Sequence, residues 1–234
     1  QLCREAGLEL TVTALELNRP TNDFTTGPAM DPDEVIHAMN AGARALSDDC
    51  DYLAVGEMGI GNTTSAAAIS MGRFGGNASG WVGPGTGLDM AGVNHKAMIV
   101  QAAIDRHGED FDDPVALLAA YGGRELAAIA GAILEARMRS IPVMLDGFIS
   151  SAAAAALTAG NRLDVLDHCM ISHLSAEPGH IRLASALRMQ PFFDLRMRLG
   201  EASGAAVATI IVRAALATHN GMATFAEAGV SKEA

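Results

Sequence analysis

Hydrophobic and polar positions along this chain repeat one pattern, in which a short apolar run ends at small residues and an alanine-rich helical stretch follows. Three clear units read YLAVGEMGIGNTTSAAAISM, IPVMLDGFISSAAAAALTAG and HCMISHLSAEPGHIRLASALRM. A weaker fourth unit reads PFFDLRMRLGEASGAAVATIIVRAALATH. Strands that alternate with helices of about 10–15 residues are typical of βαβ units around a parallel sheet.

Small residues, capping residues and proline set the boundaries within these units. Besides the strand in YLAVG, the predicted strands cover residues 142–145, 169–173 and 193–198. The predicted helices begin at Ser151 with Ser150 or Ser151 as the N-cap, near Pro178 or Gly179, and near residues 200–202. Right-handed crossovers would place the loops after the strands at one edge of the sheet, where α/β proteins bind ligands.

Further helices are predicted from apolar spacing near the helical period and from their caps. They are LCREAG at the start of the chain, a helix capped by Asp31 with Pro32 in its first turn, one that Asp89 caps and Gly108 ends, and two separated by residues 122–123.

Composition narrows the class of protein. The 234 residues are 50% hydrophobic and 18% charged, which is typical of a globular chain with a large core. A formal net charge of −11 argues against a nucleic-acid surface, because such surfaces need clustered lysine and arginine. The three cysteines form no CxxC motif and no apolar run is long enough to span a bilayer, so we predict a cytoplasmic protein without membrane or nucleic-acid partners. The chain starts at Gln1, which is typical of a processed or truncated product.

Candidate chemistry begins in GEMGIGNTTSAAA, where a predicted strand becomes a helix. Gly59 and Gly61 let the backbone approach a ligand closely, while Asn62 and Thr63 either cap the helix or face a phosphate. A carboxylate such as Glu57 at the end of a buried strand is unfavourable unless it is paired or functional. The segment lacks the P-loop and dinucleotide motifs, so a capped strand–helix turn is the alternative interpretation.

A second glycine-rich stretch, WVGPGTGLDMAGVNHK, contains Gly85 and Thr86 and is followed by a lysine. Lys96 is a candidate for the positive charge that a phosphate needs, and the alternative is an ordinary solvent-exposed lysine. We expect Trp81 in this stretch to pack in the interior rather than to stack on a base.

Three later segments hold weaker candidates. Gly147 permits close backbone approach, and Ser175 with His173 is a weak nucleophile pair because a GxSxG motif is absent. No HExxH or dense Cys/His set accompanies the histidines, so we predict no metal site. Glu201 is either a carboxylate that complements a helix dipole or a general base in an apolar pocket.

Taken together, the segments resemble one family. GEMGIGNTTSAAA, GPGTGLD…HK, LDGFISSAAA, SHLSAEPGH and MRLGEASGAA occur in the order found in nicotinate-nucleotide:dimethylbenzimidazole phosphoribosyltransferases, and RPTNDFTTGPAM is similar as well. The resemblance implies an α/β fold with a doubly wound, Rossmann-like parallel sheet and flanking helices, plus part of a small helical domain from the chain ends. It implies three parts, namely the N-terminal helix and leading segment (1–30), the nucleotide-binding catalytic domain (31–215) and a C-terminal segment of the small domain (216–234). It also implies a homodimer without a cofactor.

The family transfers the 5-phosphoribosyl group of nicotinate mononucleotide to 5,6-dimethylbenzimidazole, which yields α-ribazole 5′-phosphate and nicotinate in the synthesis of the lower ligand of cobalamin. By motif, Glu201 matches the general base and Glu57 matches a strand-end carboxylate of the site. The matched substrate-binding positions are Gly59, Gly61, Asn62, Thr63, Gly85, Thr86, Lys96, Gly147, Ser175, Leu199 and Gly200. Because the family carries a further N-terminal region, the alternative is a truncated, non-catalytic phosphoribosyl- or nucleotide-binding domain of the same fold.

Overall fold

The computed structural model describes residues 1–85, 87–109 and 111–229. Its sheet consists of three parallel strands in the order β1 (Leu53–Val55), β2 (Val143–Leu145) and β3 (Cys169–Ile171). Val143 of the central strand pairs with Leu53 on one side and with Cys169 on the other. The strands of the first three units are therefore confirmed, and each is slightly shorter than the sequence predicts.

Helices make up most of the remaining regular structure. Within the described residues, the α-helices are α1 (Leu2–Ala6), α2 (Pro32–Arg44), α3 (Thr63–Phe74), α4 (Met90–His107), α5 (Pro114–Tyr121), α6 (Arg124–Met138), α7 (Gly147–Ala156), α8 (Pro178–Ala186) and α9 (Ser203–Gly221). No helix in these ranges is long and apolar enough to cross a membrane.

The predicted helix boundaries with clear capping residues are confirmed. Asp31 and Glu34 form a reciprocal capping box at the start of α2, each side chain accepting the backbone N–H of the other residue. The Asp89 carboxylate accepts the N–H of Gly92 at the start of α4, and Gly108 ends that helix. Such local hydrogen bonds satisfy N–H groups that the first turn of a helix leaves free.

Alternate residues of the strands face two separate helical layers. Val143 and Leu145 belong to the large core that α3, α6 and α7 share, whereas Met144 packs against Ala205 and Ala208 of α9. Helices therefore cover both faces of the parallel sheet, as the predicted α/β class requires. The opposite placement of α9 brings its amino end to the edge of the sheet at which the strands end.

The predicted start of the helix after β2 is wrong. α7 begins at Gly147, so neither Ser150 nor Ser151 is an N-cap. Both hydroxyls lie inside the helix and donate to carbonyl groups, Ser150 to Val55 at 3.3 Å and Ser151 to Gly147 at 2.7 Å. These hydrogen bonds satisfy the two buried hydroxyl groups, so neither serine needs to act as a cap.

The predicted strand over residues 193–198 reduces to a single parallel bridge between His173 and Phe193. The Asp194 carboxylate accepts the N–H of Arg196, whose φ of 54° is left-handed. This local turn interrupts the extended backbone that a longer strand needs. The helix predicted after it begins at Ser203, just beyond the expected 200–202.

The first and last α-helices of the described residues lie against each other, because α1 packs on α9 and Arg213 donates to the Gly7 carbonyl at 3.0 Å. The division into residues 1–30, 31–215 and 216–234 stays a prediction.

Candidate active site

The carboxyl ends of the three strands meet at one edge of the sheet, and a polar residue or loop follows each of them. Glu57 follows β1, Asp146 follows β2, and residues 172–175 follow β3. The amino end of α9 lies at the same edge, because the N–H of Glu201 donates to the Glu57 carbonyl at 3.0 Å. The edge therefore gathers groups that are far apart in the sequence.

Glu57 is held by its own loop. Its Oε2 accepts hydrogen bonds from the Gly59 N–H and from Asn62 Nδ2, both at 2.6 Å. Burial raises the pKa of Glu57, the two hydrogen bonds oppose this, and the nearby Glu125 and Asp146 carboxylates add to the rise. Asn62 Nδ2 also donates to Glu125 at 3.1 Å, so the side chain of Asn62 joins two carboxylates and makes no capping hydrogen bond, although Asn62 is the N-cap residue of α3.

Glu201 projects from a left-handed turn that contacts this loop. Gly200, Glu201 and Ala202 have φ angles of 79°, 60° and 57°. A Cβ on Gly200 would lie 3.2 Å from Glu57 Oε1, so the turn passes directly over the Glu57 carboxylate. Glu201 itself is exposed, as is the neighbouring Leu199. The structure thus places the two predicted catalytic glutamates in adjacent, hydrogen-bonded segments.

Lys96 is buried, which excludes the alternative of a solvent-exposed lysine. Its ammonium donates to Thr63 Oγ1 at 3.0 Å and to the Gly83 carbonyl at 2.9 Å. Burial lowers the pKa of Lys96, and the charge of Glu177 opposes that shift. A Cβ on Gly85 would lie 3.3 Å from both Lys96 Nζ and Thr63 Oγ1, so both glycine-rich segments border the same cation.

The remaining residues of these two loops are only partly described. Gly61 is exposed in the turn that leads into α3, and its carbonyl accepts the N–H of Thr64 at 3.1 Å. Thr86, a predicted substrate-binding residue, lies outside the described residues.

The third group surrounds two buried histidines. A Cβ on Gly147 would lie 3.1 Å from the His173 ring, and the Ser175 N–H donates to His180 Nδ1 at 2.9 Å. The Ser175 hydroxyl accepts the N–H of Glu177, whereas His173 Nδ1 lies 2.9 Å from Ser172 Oγ. Among the described residues, none of these bonds joins Ser175 to His173, so the nucleophile pair gains no support from them.

Trp81 packs in the interior, as predicted. The side chain is fully buried, its indole N–H donates to the Gly75 carbonyl at 2.9 Å, and the Arg182 guanidinium lies 4.4 Å from the ring centroid. A ring enclosed in this way is not accessible for stacking on a ligand.

Two residues at this edge lie outside the predicted set of site residues. Arg198 donates to the Gly85 carbonyl at 2.6 Å and so joins the segment before Glu201 to the second glycine loop. Asp146 is buried at the end of β2. The signal for Asp146 was present, because a carboxylate after a buried strand is the same argument that singled out Glu57.

The edge of the sheet has two chemically different sides. Glu57 and the turn that carries Glu201 are joined by a backbone hydrogen bond on one side, and their carboxylates suit a group that gains positive charge or releases a proton. The buried Lys96 ammonium and the backbone around Thr63 lie on the other, where they suit an anion.

Named relatives match nearly the whole chain. A nicotinate-nucleotide–dimethylbenzimidazole phosphoribosyltransferase from Novosphingobium aromaticivorans is 53% identical over 98% of this chain and 68% of its own length. Proteins with the same name from Cereibacter sphaeroides and Mesorhizobium japonicum are also 53% identical, over 99% and 100% of this chain and 68% and 69% of their own lengths.

Solved structures agree with these relatives. CobT from Thermus thermophilus has a TM-score of 0.84 at 40% identity, with 91% of this chain and 64% of that chain covered. The chain thus spans about two thirds of the length of the proteins that it matches. Residues 1–230 also match the family model described as phosphoribosyltransferase, and the chain belongs to that family.

Proposed function

We propose that this protein transfers the 5-phosphoribosyl group from nicotinate mononucleotide to 5,6-dimethylbenzimidazole and forms α-ribazole 5′-phosphate and nicotinate. The observation that carries the proposal is the pairing of Glu57 with the Glu201 turn at the same sheet edge as the buried Lys96. The names of the relatives at 53% identity support the same reaction and the same two substrates.

The phosphoribosyl group is assigned to the cationic side of the edge. Lys96 supplies a point charge for the 5′-phosphate, and its bonds to Thr63 and Gly83 fix the position of the ammonium. Thr63 begins α3, so the free N–H groups of that helix add a partial positive charge beside the lysine.

The reaction then exchanges one C1′–N bond for another. The bond from C1′ of the ribose to nicotinate breaks, and its electron pair leaves with nicotinate. A ring nitrogen of the benzimidazole forms the new bond to C1′, while Glu201 accepts the proton of the other ring nitrogen. The ionised Glu57 carboxylate stabilises the positive charge that develops at C1′ between these events.

Chromatography of the products tests the reaction. We expect the purified protein to release nicotinate from nicotinate mononucleotide only when dimethylbenzimidazole is present. Glu201→Gln should lower kcat by about 10²–10⁴-fold through loss of the base, and Glu57→Gln by about 10²–10³-fold through loss of the stabilising charge. The exposed Glu9→Gln serves as the matched control.

Each outcome of this test has a definite meaning. Nucleotide binding without turnover would favour the alternative of a non-catalytic phosphoribosyl-binding domain. An unchanged kcat in Glu201→Gln or in Glu57→Gln would remove the role assigned to that residue.

A homodimer and a cytoplasmic location belong to the same proposal; the first follows from the family resemblance and the second from the cysteine usage of the sequence. Sedimentation velocity checks the first, and a species with the mass of one chain at micromolar concentration would contradict it. Cell fractionation checks the second.

A further inference from the structure

The amino end of α9 has no cap of its own. The N-cap position is Ala202, whose side chain offers no acceptor to the free N–H groups of the first turn. The buried hydroxyl of Ser203, the next residue, has no hydrogen-bond partner within the described ranges. An acceptor from elsewhere in the fold is therefore needed to hold this helix start.

Asp146 supplies that acceptor from the end of the central strand. Its Oδ1 accepts the N–H of Ala205 at 3.0 Å, and the backbone of Gly204 and Ala202 acts to lower its pKa as well. A carboxylate that accepts several backbone N–H groups forms charge-assisted bonds, which are stronger than those of a neutral acceptor. Asp146 thus caps α9 although Ala205 lies 59 positions further along the chain.

The segment held in this way is the turn that presents Glu201. Its left-handed residues Glu201 and Ala202 are unfavourable for side chains with a Cβ and persist only where the surroundings fix them. Gly56 contributes to that fixation, since a Cβ at Gly56 would collide with the backbone of Ala202. The turn is clamped between the end of β1 and the Asp146 carboxylate.

We propose that Asp146 is the positioning residue for Glu201, because its carboxylate clamps the first N–H groups of α9 and so fixes the left-handed turn beside Glu57. This inference rests on the proposed function, in which Glu201 is the base. Asp146 acts through the backbone, and its second oxygen is buried without a hydrogen-bond partner in the described part of the chain.

The clamp depends on the charge of Asp146. Burial raises the pKa of Asp146 to about 6, against the opposing hydrogen bonds from α9. The titratable groups around it are Glu57, Glu201 and His173, whose Nδ1 lies 3.7 Å from Asp146 Oδ1. Burial lowers the pKa of His173, so a neutral imidazole faces the carboxylate near pH 7 and the two form no ion pair.

Kinetics of two variants test the proposal. Asp146→Ala removes the clamp and should lower kcat about 100-fold, with KM for nicotinate mononucleotide changed less than about two-fold, because misplacement of the base harms the transition state rather than binding. Asp146→Asn keeps an acceptor without charge and should lose about ten-fold in kcat at pH 8. Asp194→Asn is the control, because Asp194 is exposed and its charge, like that of Asp146, lies near His173.

The pH profile separates positioning from a structural role. The ratio of kcat between the native protein and Asp146→Asn should shrink towards one as the pH falls from 8 to 5, because the native carboxyl then becomes neutral as well. Because the Asp146 charge also raises the pKa of Glu57, the pH profile of Asp146→Asn alone, in which position 146 no longer titrates, shows the contribution of the neighbouring groups. A ratio that stays constant across this range, or an unchanged kcat in Asp146→Ala, would overturn the proposal.

A crystal structure of Asp146→Ala keeps the test independent of the reaction. We expect the contact between the Glu201 nitrogen and the Glu57 oxygen, 3.0 Å in the native protein, to be lost or lengthened. An inactive native protein with this displacement would refute the proposed function while leaving the clamp standing. An unmoved turn would refute the clamp whatever the activity.

Discussion

Lys96 shows what burial does to a single cation at a binding site. Its ammonium is held by Thr63 and by a backbone carbonyl, and it has no freedom to follow a ligand that moves. We expect Lys96→Met to raise KM for nicotinate mononucleotide about 10–100-fold, since a hydrogen bond to a charged group contributes about 1.5–3 kcal/mol. The exposed Arg106→Gln on the same helix is the control in these steady-state assays.

An unchanged KM in Lys96→Met would contradict the phosphate assignment. Loss of folding would be seen by circular dichroism. We expect a folded but less stable protein, because the substitution leaves the buried Glu177 carboxylate without the positive charge that faces it.

Asp146 also links stability to pH. Its pKa of about 6 in the folded state lies above the 3.8 of the unfolded chain, so the folded state binds the proton more tightly and ionisation destabilises it. Relative to Asp146→Asn, the native protein should lose about 2.4 kcal/mol of unfolding free energy as the pH rises from 4 to 7. Denaturant titrations of both proteins measure this difference.

A difference in stability that does not change between pH 4 and 7 would show that Asp146 has an ordinary pKa in the folded protein. The size of the difference in unfolding free energy at any single pH is not used, because only its change with pH reports the titration of Asp146.

Single residues could be predicted where one local pattern was enough. Glu57 could be predicted because a carboxylate directly after an apolar run is unfavourable unless it is paired or functional. Lys96 could be predicted from its place after the second glycine-rich stretch and from the motif resemblance. The bond from Arg198 to Gly85 and the clamp from Asp146 to Ala205 join distant segments, so no local pattern reveals them.

The start of α9 is the element with the clearest conformational strain. Ala202 is left-handed at φ 57°, where glycine would be relaxed. We expect Ala202→Gly to stabilise the protein by about 1 kcal/mol and to raise Tm by about 2–4 °C. Ala214→Gly, at an exposed position inside the same helix, should have the opposite sign and lower stability by about 1 kcal/mol.

Thermal unfolding followed by calorimetry checks both substitutions. A lower Tm for Ala202→Gly would mean that packing of its Cβ against Gly56 outweighs the strain.

Elements were predictable where capping was local. Asp31 and Asp89 cap the helices that follow them within three residues, so the sequence contains the whole signal. The start of α7 at Gly147 was not predictable in this way. Serine is a common N-cap residue, but Ser150 and Ser151 lie inside the helix and donate to carbonyl groups. The amino end of α9 takes its cap from another element.

At the scale of the whole molecule, three repeats of one strand–helix unit predicted the parallel sheet and the single edge that holds the site. Only three strands form within the described residues, because the segment after β3 turns at Asp194 instead of extending. The close contact between α1 and α9 depends on packing between the two ends of the sequence, which periodicity does not report.

The position of β2 between two strands and two helical layers determines how the molecule opens. The amide of Val143 donates to the His168 carbonyl on one side, and that of Asp146 donates to the Val55 carbonyl on the other. In native-state hydrogen exchange followed by mass spectrometry, we expect peptides over β2 to exchange only through global unfolding. Equal rates for β2 and residues 200–202 would contradict this. We expect the amide of Glu201, which donates to the Glu57 carbonyl outside the strands, to exchange through local opening while the sheet beneath it remains closed.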